Sequence, residues 1–288
     1  MNRARAAAVV TLGATVAALA ACTSSAPMPQ PTPSSSASAH VSPGPTPTVS
    51  ATPDPAPTPS APADGGGGAG SGASYPWHTG IPATTFWVGE IFDPDAPDGS
   101  QELSTYDSGW LASYGGCDGI ASGGGCRTEA RTAANGYFPT SMTPRENPFY
   151  LDLPYDDIND PTGFAQRDAV IPWAGQEPYR SHRGDPNYSY LKNRWVQLTL
   201  GGRTCYGQIE DAGPGEYHDA AYVFGANDAR PANTRYGGAG LDVSPALTGC
   251  LGFADLDGIT PGISWRFVEA SEVPPGPWTR LVTTSGIR

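Results

Sequence analysis

The chain has 288 residues, with 28 Asp and Glu against 16 Lys and Arg, a formal charge of −12 at neutral pH. That balance argues against a nucleic-acid surface and against direct docking on anionic lipid, because both need clustered cations. No cysteine pair has C-x-x-C spacing and the histidines are scattered, so neither a metal site nor a cofactor is expected.

The N-terminus is predicted to be an export signal over residues 1–21. Arg3 and Arg5 precede the Ala-rich run 6–21, which is too short and too weakly apolar to span a bilayer. The run ends in Leu19-Ala20-Ala21-Cys22, followed by Thr23-Ser24-Ser25. These residues resemble the bacterial lipobox, which implies cleavage before Cys22, lipidation of Cys22 and tethering to the outer face of the plasma membrane. Cleavage there removes two arginines and no acids, so the charge becomes −14.

Residues 22–74 are rich in Pro, Ser, Thr, Ala and Gly and almost without large apolar side chains. Such a segment cannot bury enough surface to offset its ordering entropy, and it is predicted to be a disordered spacer. At about 3.1 Å per residue where it is polyproline-like, it could lift a folded domain on the order of 100 Å from the membrane.

Residues 75–288 are expected to form one domain. Strand signals dominate it. Residues 84–88 are β-branched and aromatic, and residues 195–200 alternate apolar and polar. Gly201-Gly202 turns that run into 203–209 as a hairpin, 264–268 alternates again, and 279–284 is predicted to be a last strand. Helical signal is scarce. Ser244 can cap a short helix with Pro245 at its first position and Gly249 or Gly252 at its end. The Pro- and Gly-rich stretch from about 93 to 184 reads as loop decoration on a small barrel. With Cys22 set aside, Cys117, Cys126, Cys205 and Cys250 allow three disulfide pairings. Cys117–Cys126 and Cys205–Cys250 are favoured; the first closes a Gly-rich loop and the second ties two Asp-bearing segments together.

Those segments carry a family resemblance. Ile209-Glu210-Asp211-Ala212-Gly213-Pro214-Gly215 and Gly240-Leu241-Asp242-Val243-Ser244-Pro245-Ala246, with the hairpin before the first and the strand 265–268 after the second, resemble the double-psi β-barrel superfamily of expansins, barwin-like proteins, inverting endoglucanases and rare lipoprotein A. The resemblance covers residues 194–269. It implies a mainly β fold, a six-stranded double-psi barrel with long loops and short helices. It also implies that Asp242 is the family's general acid and that Asp211 lines the cleft. Thr105-Tyr106-Asp107 is similar to the element that bears the cellulases' base, so Asp107 is a third catalytic candidate. The family histidine of rare lipoprotein A falls at Tyr150 in this chain.

The implied activity is binding and cleavage of cell-wall polysaccharide, peptidoglycan foremost, by lytic transglycosylation or inverting hydrolysis. The alternative is a non-catalytic, expansin-like binding or structural wall module. Tyr206, Tyr150, Trp110 and Trp173 are the aromatic candidates for a sugar groove. His218, close after the Gly-Pro turn, is placed near the cleft. The acid-rich stretches 93–99 and 156–160 depart from calcium-loop spacing and are read as solvated turns.

Overall fold

The computed structural model describes residues 74–95 and 99–288. The signal segment 1–21, Cys22 and the spacer up to residue 73 lie outside the described residues. The fold is mainly β. Six strands close into a barrel: β1 (His78–Thr85), β4 (Tyr150–Leu153), β5 (Trp195–Leu200), β6 (Arg203–Ala212), β7 (Leu241–Val243) and β8 (Thr260–Val268), in the order β1-β7-β4-β6-β5-β8. A small hairpin of β2 (Ile120–Ser122) and β3 (Gly125–Arg127) stands outside it. The barrel is mixed. β1 runs parallel to β7 and β4 parallel to β6; the other pairings are antiparallel.

Alternation along the strands fills one apolar interior. Ile81 and Ala83 of β1, Leu151 and Leu153 of β4, Val196 and Leu198 of β5, Leu241 and Val243 of β7, and Ile263, Trp265 and Phe267 of β8 all belong to it. Because successive side chains point to opposite faces, this pattern sends Asp152 and Asp242 outward.

Four short helices decorate the barrel: α1 (Trp110–Tyr114), α2 (Pro161–Val170), α3 (Ala220–Val223) and α4 (Pro245–Leu251). The last forms where its caps dictate. Ser244 Oγ accepts the Leu247 amide, Pro245 occupies the first turn, and Gly252 ends the helix at φ 74°. α4 lies against β6 at Gly207, where a Cβ would meet Leu151 at 2.7 Å and Leu247 at 2.9 Å. The Cys205–Cys250 disulfide joins the same two elements, and Cys117–Cys126 pins the small hairpin.

Three predicted elements differ from the structure. The first strand is His78–Thr85 and stops before residues 86–88, where the chain turns away to begin a loop. Residues 279–284 form no strand: the barrel is closed and offers no edge to pair with. Side chains hold that segment instead, with the Thr283 amide on Gln208 Oε1 and the Asn147 amide on Thr283 Oγ1. Within the expected loop region 93–184, Tyr150–Leu153 is a central barrel strand buried at every position, so it shows no clean two-residue alternation.

The Cys205–Cys250 bond closes a loop with a sequence separation of 45 residues. Replacing both cysteines by Ala is expected to cost about 4 kcal/mol through the freed unfolded chain. Denaturant unfolding measures this, and a loss under about 1 kcal/mol would mean that α4 is held by packing alone.

Candidate active site

Three carboxylates stand in a row on three neighbouring strands. Asp152 on β4 is paired in register with Asp242 on β7 and with Asp211 on β6. The second pairing depends on an irregularity: Leu151 is opposite Ile209, but Asp152 is opposite Asp211. A bulge in β6 therefore skips Glu210, turning it to Lys192 at 3.3 Å, and brings Asp211 beside Asp152.

Each acid is held differently. Asp152 is 3% exposed. Its Oδ1 accepts the Asp242 amide at 2.8 Å, and its Oδ2 has no hydrogen bond among the described residues. Gly213 runs so close that a Cβ there would sit 2.9 Å from this Oδ2. Asp242 is half-buried and accepts the Thr84 hydroxyl from β1. Asp211 accepts the Thr105 amide at 2.8 Å and the Ala212 amide at 2.9 Å, so it fastens a loop to the barrel.

Burial is the main force on their protons. It raises Asp152 well above the usual carboxylate range, and the charges of Asp242 and then Asp211 raise it further. Burial pushes Asp242 up to about 6 against the opposing Thr84 hydrogen bond. It pushes Asp211 up to about 7 although two backbone amides favour the charged form. Asp152 and Asp242 are thus a tightly coupled pair in which each carboxyl holds its proton to higher pH than an ordinary aspartate.

The row opens into a groove with two adjoining parts. A cavity of about 290 Å³ is lined by Thr84, Glu90, Asp152, Asp242 and Asp257. A second, of about 620 Å³, is lined by Asp93, Thr105, Asp156, Asp211 and Arg235. Phe92, Tyr217 and Tyr236 border both. Their exposures of 53%, 46% and 54% leave broad ring faces toward solvent. Glu90, on the wall beyond β1, is raised to about 8, first by burial and then, among the charges, by Asp257 and Asp242. Among the described residues, no group of three or more His, Cys, Asp or Glu is arranged to hold a metal ion.

The other candidate residues lie elsewhere. Asp107 is buried, caps the turn before α1 through the Gly109 amide at 2.8 Å, and approaches Arg288 at 3.6 Å. It lines neither part of the groove, whereas its neighbour Thr105 does. Tyr150 is fully buried, with its hydroxyl on Asp118 at 2.8 Å, and Trp110 packs on it at 5.2 Å. Trp173 is core, packed on Phe267 at 4.8 Å. Tyr206 is 9% exposed and packs on Trp278. None of these four rings presents a face to the groove. His218 is exposed, 3.4 Å from Asp160, and lines neither part.

Sequence reasoning missed Asp152, Glu90 and the three groove aromatics. An acid inside the apolar run Tyr150-Leu151-Asp152-Leu153 was the available signal for Asp152. Exposure of the rings could not be read without the loops that carry them. No protein-family model, curated protein or solved structure matches this chain.

The raised acids fix the sign of a pH effect. A carboxyl whose folded pKa is raised stabilises the fold below its unfolded value, near 4, and loses that contribution as pH rises through the folded value. The values of about 6, 7 and 8 at Asp242, Asp211 and Glu90 place the loss between about pH 4 and about pH 8. The melting temperature is expected to fall across this window, and to fall less in Asp242→Asn. A wild-type profile that is flat or rising there would contradict burial as the cause.

Proposed function

We propose that this is a cell-envelope lipoprotein, anchored through Cys22, whose double-psi barrel binds cell-wall polysaccharide, peptidoglycan foremost, and cleaves it by acid–base chemistry. The observation that carries the proposal is the Asp152–Asp242 pair at the floor of an open groove bordered by exposed aromatic rings. Rings of this kind stack on sugar faces, and a carboxyl that keeps its proton near neutral pH can serve as a general acid.

In this scheme Asp242, the more exposed partner, whose proton affinity burial raises, gives its proton to the glycosidic oxygen as the C–O bond breaks. Asp152 behind it orients Asp242 through the backbone amide. In the lytic route a hydroxyl of the same sugar attacks the anomeric carbon, and the Asp242 carboxylate takes that hydroxyl's proton, restoring the acid. Water in place of the sugar hydroxyl gives hydrolysis, with a second carboxyl as base. Asp211, spent on two amides, serves as a positioning residue for the loop at Thr105.

A specific observation favours the non-catalytic alternative: the Thr84 hydroxyl already occupies one oxygen of Asp242. The two readings separate on incubation with purified sacculi and mass spectrometry of the released fragments. Cleavage predicts anhydro- or reducing-end fragments that fall at least about a hundredfold in Asp242→Asn, with sacculus binding retained. Binding without any fragment would leave the expansin-like module, and no association would remove both.

A further inference from the structure

The larger part of the groove is walled by one stretch of chain. Ser100, Gln101, Leu103, Ser104 and Thr105 all line it. The stretch ends in a tight turn, where the Ser104 amide meets the Asp107 carbonyl at 2.8 Å and the Asp107 amide meets the Ser104 carbonyl at 3.2 Å. On the groove side Thr105 is tied to its surroundings. Its amide donates to Asp211 and its hydroxyl to Asp156, while Asn159 donates to its carbonyl at 2.7 Å. The turn is held from behind by Arg288, which lines neither part of the groove.

Arg288 grips the turn in two ways. Its amide donates to the Tyr106 carbonyl at 3.0 Å and its carbonyl accepts the Ser108 amide at 3.2 Å, so its backbone pairs on both sides of Asp107. Its guanidinium donates to Glu146 at 2.7 Å and to the Ser113 hydroxyl at 3.1 Å, and stands 3.6 Å from Asp107. Asp107 and Glu146 are 2% and 5% exposed, and Asp107 Oδ2 and Glu146 Oε2 are buried with no hydrogen bond among the described residues. Glu210 is a third buried acid, paired with Lys192 and near enough to feel the charges of Glu146 and Arg288. Three buried acids therefore face two cations. Without the guanidinium, Asp107 and Glu146 would be buried with no counter-charge, a cost that water relieves only if the turn opens.

The segment that carries Arg288 is anchored independently of the groove. Thr283 is bonded to Gln208 and to Asn147. The Ser285 hydroxyl donates to Glu146 at 3.0 Å, its carbonyl accepts from Asn193 at 2.9 Å, and Ile287 packs on the core. The barrel thus reaches the groove wall through the backbone and side chain of one residue.

We infer that Arg288 is a positioning residue for the groove: it holds the 104–108 turn so that Thr105 stays on Asp211 and the 100–105 wall keeps the shape that a glycan meets; the glycan part rests on the polysaccharide reading above. Asp107 then serves to receive Arg288 and does not touch substrate.

Hydrogen exchange at the Thr105 amide, followed by NMR with sacculus binding measured alongside, tests this. In Arg288→Ala the Thr105 amide should exchange at least about tenfold faster while the β5 and β6 amides keep their rates, because the opening is local. Sacculus binding should weaken at least about threefold in the same variant, since the wall is no longer preorganised. Arg288→Lys restores one charge but not the fork, and should recover part of both. Glu146→Gln serves if Arg288→Ala does not fold; it strands no buried charge, because the Arg288 side chain is 46% exposed, and it should also speed exchange at Thr105. Arg180→Ala removes an exposed arginine elsewhere and should change neither readout. An unchanged Thr105 rate, or an equal rise at β5 and β6 that marks general loss of stability, would overturn the positioning role. Faster exchange at Thr105 with unchanged binding would overturn its bearing on the glycan. Absence of sacculus binding by the wild-type chain would overturn the polysaccharide reading, while the Thr105 rate would still decide whether Arg288 holds the wall.

Discussion

The structure depends on the register of one short strand. β4 is bonded to β6 on one side and β7 on the other, parallel to the first and antiparallel to the second. Because side chains alternate, a slip of one residue would carry Asp152 into the apolar interior and Leu151 out to the groove. The correct register is fixed by Leu151 and Leu153 in the core and by the bulge that passes over Glu210. With those in place, Asp211, Asp152 and Asp242 must be neighbours, and the Asp242 amide must meet Asp152.

That arrangement opposes stability. Carboxyl groups are brought together and partly removed from water, so each resists ionisation, and the fold carries the cost as pH rises. The barrel offsets it locally, by the closed ring of strands, by α4 clamped at Gly207 and by the Cys205–Cys250 bond. This conflict between local chemistry and fold stability is the ground on which the proposed function rests, because apolar or small polar residues on the same face would carry no such cost. Asp211 shows the contrasting case. Its burial is answered by two amides, and its effect is to hold Thr105 against the barrel.

Much of the fold was legible in the sequence. The 195–200 and 203–209 hairpin and the Ser244 cap with Pro245 follow from alternation and turn chemistry, the two cysteine pairs are the favoured set of three possible ones, and all are present. Tyr150–Leu153 was hidden because a strand buried on both faces has no two-residue signature. The site was half legible. Asp242 and Asp211 stand out at strand ends beside turns, but Asp152 is set between them by long-range pairing that no local window contains. The aromatic residues followed the same rule in reverse. Trp110, Tyr150 and Trp173 are in the core because large rings bury the most surface, and the groove rings are on loops whose exposure is a tertiary property.

The central claim is that Asp152 and Asp242 each hold a proton to higher pH than an ordinary aspartate. Carbon-13 NMR of the aspartate carboxyls, titrated from about pH 3 to pH 9 and assigned with Asp152→Asn and Asp242→Asn, measures it directly. Two coupled titrations are predicted, one near about 6 and the other well above the usual aspartate range, with the upper one falling when Asp242 is neutralised and the lower one, raised by burial, staying near about 6 in Asp152→Asn. Independent titration of both carboxyls near about 4 would contradict the raised proton affinities and, with them, the acid assigned to Asp242.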